Sequence, residues 1–410
     1  MLTSFRSFPF RKTAHLSRRL NRLFTVLAFE SSADDTCVAV VTSDRQILSN
    51  VVIRQNDLFG GINPGAAVMA HQANLPIAAK RALTEAKIDI SNVHGIAFTR
   101  GPGMGVCLST TLNAAKTLAA VFDKPLVGVH HMQAHALTAL LTTPTHKPNG
   151  EINPAYPRFP YLTLLVSGGH TQIVLAKSVK SFRIMATTLD ESIGRTIDKV
   201  SRILQIEWAN MSPGSALEKF CLRPEKGILP DIFIPFTPVM PGRLAFSYSA
   251  VHSHVDRLLA LNGGIESFTS ANKLAVARIF QNAAFIQLEE KLKLALGDCE
   301  KQGIKINHLV VSGGVASNAL LRERLRACVT VSPTNSSVET VFSPIQLCTD
   351  NAAMVGWASM HRFLAGDYDE YTINPRPKWS LEELENDSQR PYARSSTPFS
   401  RDLSTKPKML

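Results

Sequence analysis

The segment Val-Ser-Gly-Gly occurs twice, at 166–169 and 311–314, each time closing a short apolar run. The first run is YLTLLVS (161–167), and its turn Ser167-Gly168-Gly169-His170 leads into a second β-like run, TQIVLAK (171–177). The second run is HLVVS (308–312), and its turn Gly313-Gly314-Val315-Ala316-Ser317-Asn318 opens the helical pattern NALLRERLRA (318–327). Glycine permits positive φ and lets backbone N–H groups approach a ligand closely. Where such a turn starts a helix, the partial positive charge of the helix end favours an anion. A chain that places such turns at strand ends in this way must fold as α/β layers. With an acidic hairpin turn at Asp34-Asp35, the pattern suggests a nucleotide held between two lobes. Either turn taken alone reads equally well as a tight turn and nothing more.

The rest of the chain follows the same grammar. TVLAFES (25–31) and TCVAVVTS (36–43) read as a strand pair joined through Ala33-Asp34-Asp35. Residues 66–87 have a helical pattern with Pro76 inside it, so a kink or break is expected there. HGIAFTR (94–100) is a strand, GPGMG (101–105) a loop against a cleft, and residues 106–122 a helix. The loop is not the G-x-G-x-x-G of a dinucleotide site, and no acidic residue ends the next strand, PLVGV (125–129). Residues 142–160 are rich in Pro, Asn and Thr and read as a hinge. The expected division is an N-terminal lobe over 26–150, a C-terminal lobe over 151–376, and a polar tail without structure over 377–410.

The 410 residues carry a net charge of +11. Six of those charges (Arg6, Arg11, Lys12, Arg18, Arg19 and Arg22) fall in residues 1–29, which hold no acid and several hydroxyl residues. A basic, acid-free start of this kind reads as an organelle transit peptide, here residues 1–25. The remaining +5 suits a polyanionic partner. No run of 18 apolar residues exists to cross a membrane. The six cysteines form no C-x-x-C, which argues against a cysteine zinc site and a secreted disulfide framework.

In VGVHHMQAHA (127–136), His131 and His135 are four apart, so on a helix they share one face. That spacing lets two imidazoles grip one metal ion, or simply line a core. Two ligands are incomplete, and Asp350, in Cys348-Thr349-Asp350-Asn351 ahead of the helical AAMVGWASMHRFL, is the best third. Met132 follows His131, so the glutamate base of an H-E-x-x-H metallopeptidase is lacking.

Taken together, these motifs resemble the TsaD/OSGEP family of tRNA threonylcarbamoyltransferases, specifically its mitochondrial branch. The resemblance runs from about residue 26 to 375. It includes F-E-S-S-A-D-D-T (29–36), N-P-x-x-A-x-x-x-H (63–71), G-P-G (101–103) and H-H-M-Q-A-H (130–135). V-S-G-G-H-T (166–171), D-K (198–199), F-S-Y-S (246–249), S-G-G-V-A-S-N (312–318) and C-T-D-N-A-A-M (348–354) follow in family order. The resemblance implies the actin/Hsp70-like ATPase architecture, with a nucleotide cleft between two α/β lobes. It implies transfer of a threonylcarbamoyl group from threonylcarbamoyl-AMP, made by a separate synthase, to N6 of adenosine 37 in tRNAs reading codons that begin with A. It also implies a mitochondrial homodimer without a membrane anchor.

The residue roles are carried over in the same way. His131, His135 and Asp350 are expected to bind one divalent metal, iron or zinc. Leu165, Val166, Ser167, Gly168 and Gly169 are expected on the donor, with Asp198, Gly214, Glu218, Ser317 and Asn318 around its ribose and adenine. Asp34, Asp35 and His71 are the catalytic candidates, with His170 a further possible base. Some positions depart from the family pattern: Arg195 stands for a glutamate, Ala33 for a cysteine, Ala250 for a glycine, His252 for a lysine, and Gly65 where bacterial members carry glutamate. An actin/Hsp70-like ATP-binding protein without tRNA chemistry is the alternative, but such a protein does not need His131, His135 and Asp350. A metallopeptidase or a non-catalytic scaffold is a weaker alternative.

Overall fold

In a computed structural model, described for residues 23–55, 63–330 and 338–387, two mixed β-sheets face each other across a shared layer of helices. The segment 1–25 expected as a transit peptide lies, apart from residues 23–25, outside the described residues. Phe24 stacks on Phe363 at 5.2 Å and buried Thr25 starts the first strand, so these two residues belong to the fold.

The first sheet contains β1 (Thr25–Glu30), β2 (Thr36–Thr42), β3 (Ile47–Ile53), β4 (Gly95–Gly101) and β5 (Leu126–His130), in the order β3-β2-β1-β4-β5. The second contains β6 (Tyr161–Val166), β7 (Thr171–Ala176), β8 (Phe182–Thr188), β9 (Ala245–Phe246), β10 (His308–Ser312) and β11 (Glu339–Phe342), in the order β11-β10-β6-β7-β8-β9. In the first, β1 pairs antiparallel with β2 and β2 with β3, while β1 pairs parallel with β4 and β4 with β5. In the second, β6, β7, β8, β10 and β11 repeat this pattern element for element, with β9 added at the edge. The chain is thus one topology built twice, the actin/Hsp70-like arrangement expected from the repeated strand-and-turn grammar.

Burial explains the strand sequences. Val26 and Ala28 of β1 point to one apolar cluster, Leu27 and Phe29 to another. Both faces are covered, so β1 reads as a continuous apolar run and not as an alternating one. The outer face of the first sheet is covered by α1 (Pro64–Ala86) and α2 (Gly105–Val121). The outer face of the second is covered by α4 (Ile193–Ile203), α5 (Pro213–Cys221), α6 (Ser249–Leu261), α7 (Ser270–Lys301) and α8 (Ala319–Thr330). Between the sheets lie α3 (His131–Thr142) and α9 (Ala352–Ala365), packed on each other. α3 is apolar nearly all round and buried from His131 to Leu141, as a helix between two sheets must be.

Three expectations need correction. Pro76 does not break α1, which runs as one helix from an Asn63 cap to Lys87 in the left-handed region. The lobes are not two consecutive segments: after β11 the chain returns, and α9 packs on β1, β2, β4 and β5. Because α9 completes the core of the first sheet, the second lobe cannot extend to 376. Nor is the tail without structure throughout. Buried Trp379 and Leu381 anchor it, and a Ser380–Glu383 capping box starts a short helical end that reaches Asp387. Residues 388–410 lie outside the described residues.

Met354 of α9 is fully buried between the sheets. Met354→Ala should lower stability by about 2–5 kcal/mol, read as an earlier midpoint in denaturant with the slope unchanged.

Candidate metal centre and active site

The candidate residues sit at the carboxyl ends of the parallel strands, where open α/β sheets place their ligands. β5 ends in His130, and α3 begins at once with His131. One turn later comes His135, on the same face. Asp350 reaches the same point from the opposite end of the sequence. Its neighbour Asn351 caps α9, its side-chain oxygen accepting from Met354 N at 3.0 Å.

His135 Nε2 lies 3.0 Å and His131 Nε2 3.5 Å from the same oxygen, Asp350 Oδ1. One ligand atom from each of the three residues falls within 4.8 Å of the others, and this is a group able to hold a metal ion among the described residues. The imidazoles are buried, whereas Asp350 keeps 23% of its side chain exposed, so the cluster opens to solvent on the aspartate side. The other ring nitrogens are held from behind. His131 Nδ1 faces Glu30 Oε2 and Ser32 Oγ, each at 3.2 Å, and His135 Nδ1 faces Ser312 Oγ at 3.5 Å. Such contacts fix which nitrogen points forward. Two imidazoles and a carboxylate with one open side fit a borderline divalent cation.

Glu30, which sequence reasoning did not assign, is the fourth member of the group. It is fully buried, its Oε1 accepts from Ser32 N at 2.5 Å, and its Oε2 accepts from Thr99 Oγ1. Burial pushes its pKa up, but the His131 charge and hydrogen bond outweigh this and hold the carboxyl below its usual range. The signal for Glu30 in the sequence was a charge closing the otherwise apolar TVLAFE. Burial opposes protonation of His131, yet Asp350 and Glu30 prevail and raise it to about 9. For Asp350, burial is overcome by His131 and His135, and the carboxyl is lowered.

The acidic turn after β1 places Asp35 beside this group. Burial raises its pKa to about 7, with the charges of Asp34, Asp350 and Glu30 adding to the rise and Arg54 opposing it. His71 does not face the cluster. It is fully buried, with Nδ1 2.8 Å from Thr36 Oγ1 and Nε2 3.0 Å from the Ala33 carbonyl. Both nitrogens are engaged in bracing the acidic turn, so a base role for His71 gives way to a positioning one. The His170 ring is 6.3 Å from that of His131, and burial followed by the charges of His131 and His135 lowers it to about 4, leaving it a weak base.

The two glycine turns meet at the centre of the second sheet. Gly313 has φ +102°, and a Cβ there would come within 2.2 Å of the Val166 carbonyl oxygen, so only glycine lets the turns touch. Leu165 and Val166 are buried in β6, while Gly168 and Gly169 have open space beside them. Ser167 Oγ accepts from Gly169 N and His170 N, and Gly194 N at the start of α4 donates to the Ser167 carbonyl at 3.2 Å. Gly214 lies against Asp198, with 3.7 Å between an added Cβ and Oδ1. Glu218 is engaged otherwise, its Oε1 accepting from Ala319 N at 2.7 Å at the start of α8. Asn318 Oδ1 accepts from Leu321 N, and Ser317 Oγ donates to the Gly314 carbonyl. The exposed Arg195 follows Gly194, and His252 lies 3.3 Å from Asp256.

Residues 46–357 match the model of a family described as TsaD, tRNA N6-adenosine threonylcarbamoyltransferase. The chain belongs to this family. A relative from Schizosaccharomyces pombe, named as the mitochondrial tRNA N6-adenosine threonylcarbamoyltransferase, is 34% identical over 94% of this chain and 92% of its own. One from Arabidopsis thaliana, named as the probable mitochondrial enzyme, is 33% identical over 93% of this chain and 79% of its own. A Rickettsia bellii tRNA N6-adenosine threonylcarbamoyltransferase is 34% identical over 88% and 99%. Among solved structures, full-length HypF in its phosphate- and nucleotide-bound form superposes with a TM-score of 0.50 at 13% identity, over 84% of this chain and 56% of that one. At that identity the likeness speaks for the fold alone. The protein is a transferase of tRNA modification and, like the two eukaryotic relatives by name, mitochondrial.

Crowded carboxylates should show in the stability of the metal-free protein. Ionised Asp35 is disfavoured in the fold, so stability falls as pH rises from its unfolded pKa, about 4, towards about 7. Metal-free Asp35→Asn should therefore melt higher than wild type at pH 8, with the gap closing near pH 4. Equal melting at pH 8 would show that Asp35 feels no such crowding.

Proposed function

We propose that the protein transfers the threonylcarbamoyl group of threonylcarbamoyl-AMP to N6 of adenosine 37 in mitochondrial tRNAs reading codons that begin with A. The observation that carries this reading is the convergence of His131, His135 and Asp350 beside two glycine turns of the other lobe. The Nε2 atoms of both histidines and the Asp350 carboxylate would hold one divalent ion, iron or zinc, since both accept imidazole and carboxylate together. When bound, that ion supplies Lewis-acid support to a phosphate or carbonyl oxygen of the donor.

The chain's own residues do the rest. The turn at Gly168–Gly169, with open space beside both glycines, and the turn at Gly313–Ser317 receive the adenylate, its ribose and base lying towards Asp198 and Gly214. Glu218 and Asn318 shape this pocket through the start of α8. The attacking amine is weak, its lone pair shared with the purine ring, so positioning and backbone donors near the developing oxyanion carry much of the rate. A new bond forms between N6 and the carbamoyl carbon. The carbon–oxygen bond to the phosphate breaks, and AMP leaves with the electron pair. The proton lost from N6 passes to Asp35, whose raised pKa suits a base near neutral pH. Asp34 and Arg54 set the charge around it.

tRNA is bound through scattered Lys and Arg of the net positive chain, so affinity falls with salt. The donor comes from a separate synthase. The homodimer has a candidate surface in the exposed apolar residues Met69 and Ile77 of α1 and Val106 and Val121 of α2.

Reconstitution tests the whole reading. Purified protein, the adenylate synthase, threonine, bicarbonate, ATP, metal and transcribed tRNA should yield threonylcarbamoyladenosine, detected by mass spectrometry of digested nucleosides. Asp35→Asn should slow the reaction about 100-fold or more while AMP-donor binding persists. His135→Ala should lose both product and bound metal. A metal-replete wild type that gives no modified nucleoside would overturn the proposal.

A further inference from the structure

The segment after α9 does more than end the chain. Asp369 N donates to the Leu126 carbonyl at 2.8 Å, while its carboxylate accepts from Gly128 N at 2.7 Å and pairs with Arg362. Arg376 N donates to the Arg100 carbonyl at 2.7 Å, and Gly103 N to the Pro377 carbonyl at 3.2 Å. A Cβ on Gly101 would come within 1.8 Å of the Arg376 carbonyl oxygen. The G-P-G loop is therefore covered by this segment, and the expectation that it faces a substrate cleft is corrected. Further on, Glu382 Oε1 accepts from Ile184 N at 2.8 Å and Glu385 from Ser181 Oγ at 3.1 Å, both partners lying at or beside β8 in the second lobe. The segment is a strap running from one lobe to the other across the start of α3.

At its midpoint, the strap touches the metal-site helix. The Trp379 carbonyl lies 3.1 Å from His130 Nε2, and the two rings pack at 4.7 Å between centroids. His130 Nδ1 in turn accepts from Met132 N at 3.1 Å and Gln133 N at 3.4 Å, capping α3. A carbonyl can only accept, so it requires the proton on Nε2, and that leaves the Nδ1 lone pair free to cap. The indole N–H of Trp379 has no partner among the described residues, whereas its ring is flanked by the guanidinium groups of Arg100 and Arg376 at 5.3 and 4.6 Å. The strap therefore offers this site a ring face and a backbone carbonyl.

We propose that the strap is a positioning element for the metal centre: the Trp379 carbonyl fixes the His130 tautomer, the tautomer supplies the α3 cap, and the cap sets His131. His130 and Trp379 are thus positioning residues that touch neither donor nor tRNA. The consequence for metal binding rests on the metal reading above, while the tautomer and the cap do not.

The test compares the full chain with one ending at Asp387, which keeps the strap, and one ending at Lys378, which lacks its part from Trp379 onwards. Nitrogen-15 shifts of the metal-free protein should show His130 as the Nε2–H tautomer in the first two and not in the third. Co2+ titration, followed by its visible absorbance, should be about 10-fold or more weaker in the third. Asparagine is a good cap without needing a tautomer, so His130→Asn in the chain ending at Lys378 should recover most of the Co2+ affinity, and His130→Ala should not. If the shortened chain fails to fold, the pair His130→Asn and His130→Ala in the full chain decides, with near wild-type affinity expected for the first alone. An unchanged tautomer with unchanged affinity in the chain ending at Lys378, or equal affinities for the Asn and Ala variants, would overturn the proposal. Should wild type bind no Co2+, the metal reading fails, and the ring spectra and melting of the same chains still decide the strap.

Discussion

The structure depends on two helices that are shielded from water over most of their length. α3 and α9 lie between the sheets, so each must be apolar nearly all round, and each fills the space the other leaves. Their starting ends, however, emerge at the carboxyl edges of the strands, where the core gives way to a cleft. His131 opens α3, and Asp350 stands just before the Asn351 cap of α9. The ligands meet because the helices pack, and the helices pack because the two sheets leave room for one pair. A site built this way inherits the rigidity of the core, and displacement of either helix would separate the ligand atoms.

The same placement creates an electrostatic problem. Two carboxylates, Glu30 and Asp350, are brought against two imidazoles with little water to share. A buried charge persists only when paired and hydrogen-bonded. Without metal, a proton on His131 provides the pairing, which is why its pKa rises to about 9 against the cost of burial. Glu30 therefore acts on two levels. It orients His131 through Nδ1, and it supplies negative charge that a cation at Nε2 would feel. Ser312 does the orienting for His135 from the other sheet, so both lobes contribute to one constellation.

Much of this was legible in the sequence because it depends on periodicity and spacing. The i, i+4 histidines, the glycine turns closing apolar runs, and Asp350 ahead of an apolar helix all carried their meaning locally. What escaped depends on contacts between distant segments. Nothing in the sequence over 344–365 says that the chain turns back to the first sheet; only the packing of α9 on β1 and β2 does. His71 looked available because its partners, Ala33 and Thr36, lie on another element. The tail looked polar by composition, and its two anchors, Trp379 and Leu381, are too few to show as periodicity. β3 and β8, both partly exposed, gave weak alternation and were not read.

The duplicated topology clarifies the division of labour. Equivalent strands end in different turns. After β1 comes an acidic turn, after β6 a glycine turn; after β4 comes G-P-G, after β10 Ser-Gly-Gly. In the first lobe, the acidic turn bears Asp34 and Asp35 beside the ligands, and the glycine turn is filled by Arg376 and Pro377. In the second, Gly168 and Gly169 stay open, and Gly313 packs on Val166 to bring both turns together. One half therefore supplies charge and ligands, and the other supplies an open, uncharged backbone surface. The adenylate proposed as donor would need both kinds of surface, since carboxylates alone would repel its phosphate and an uncharged backbone alone would not hold a cation. Placing them on opposite lobes keeps the acidic residues that crowd Asp35 on one side and the open glycine turn on the other.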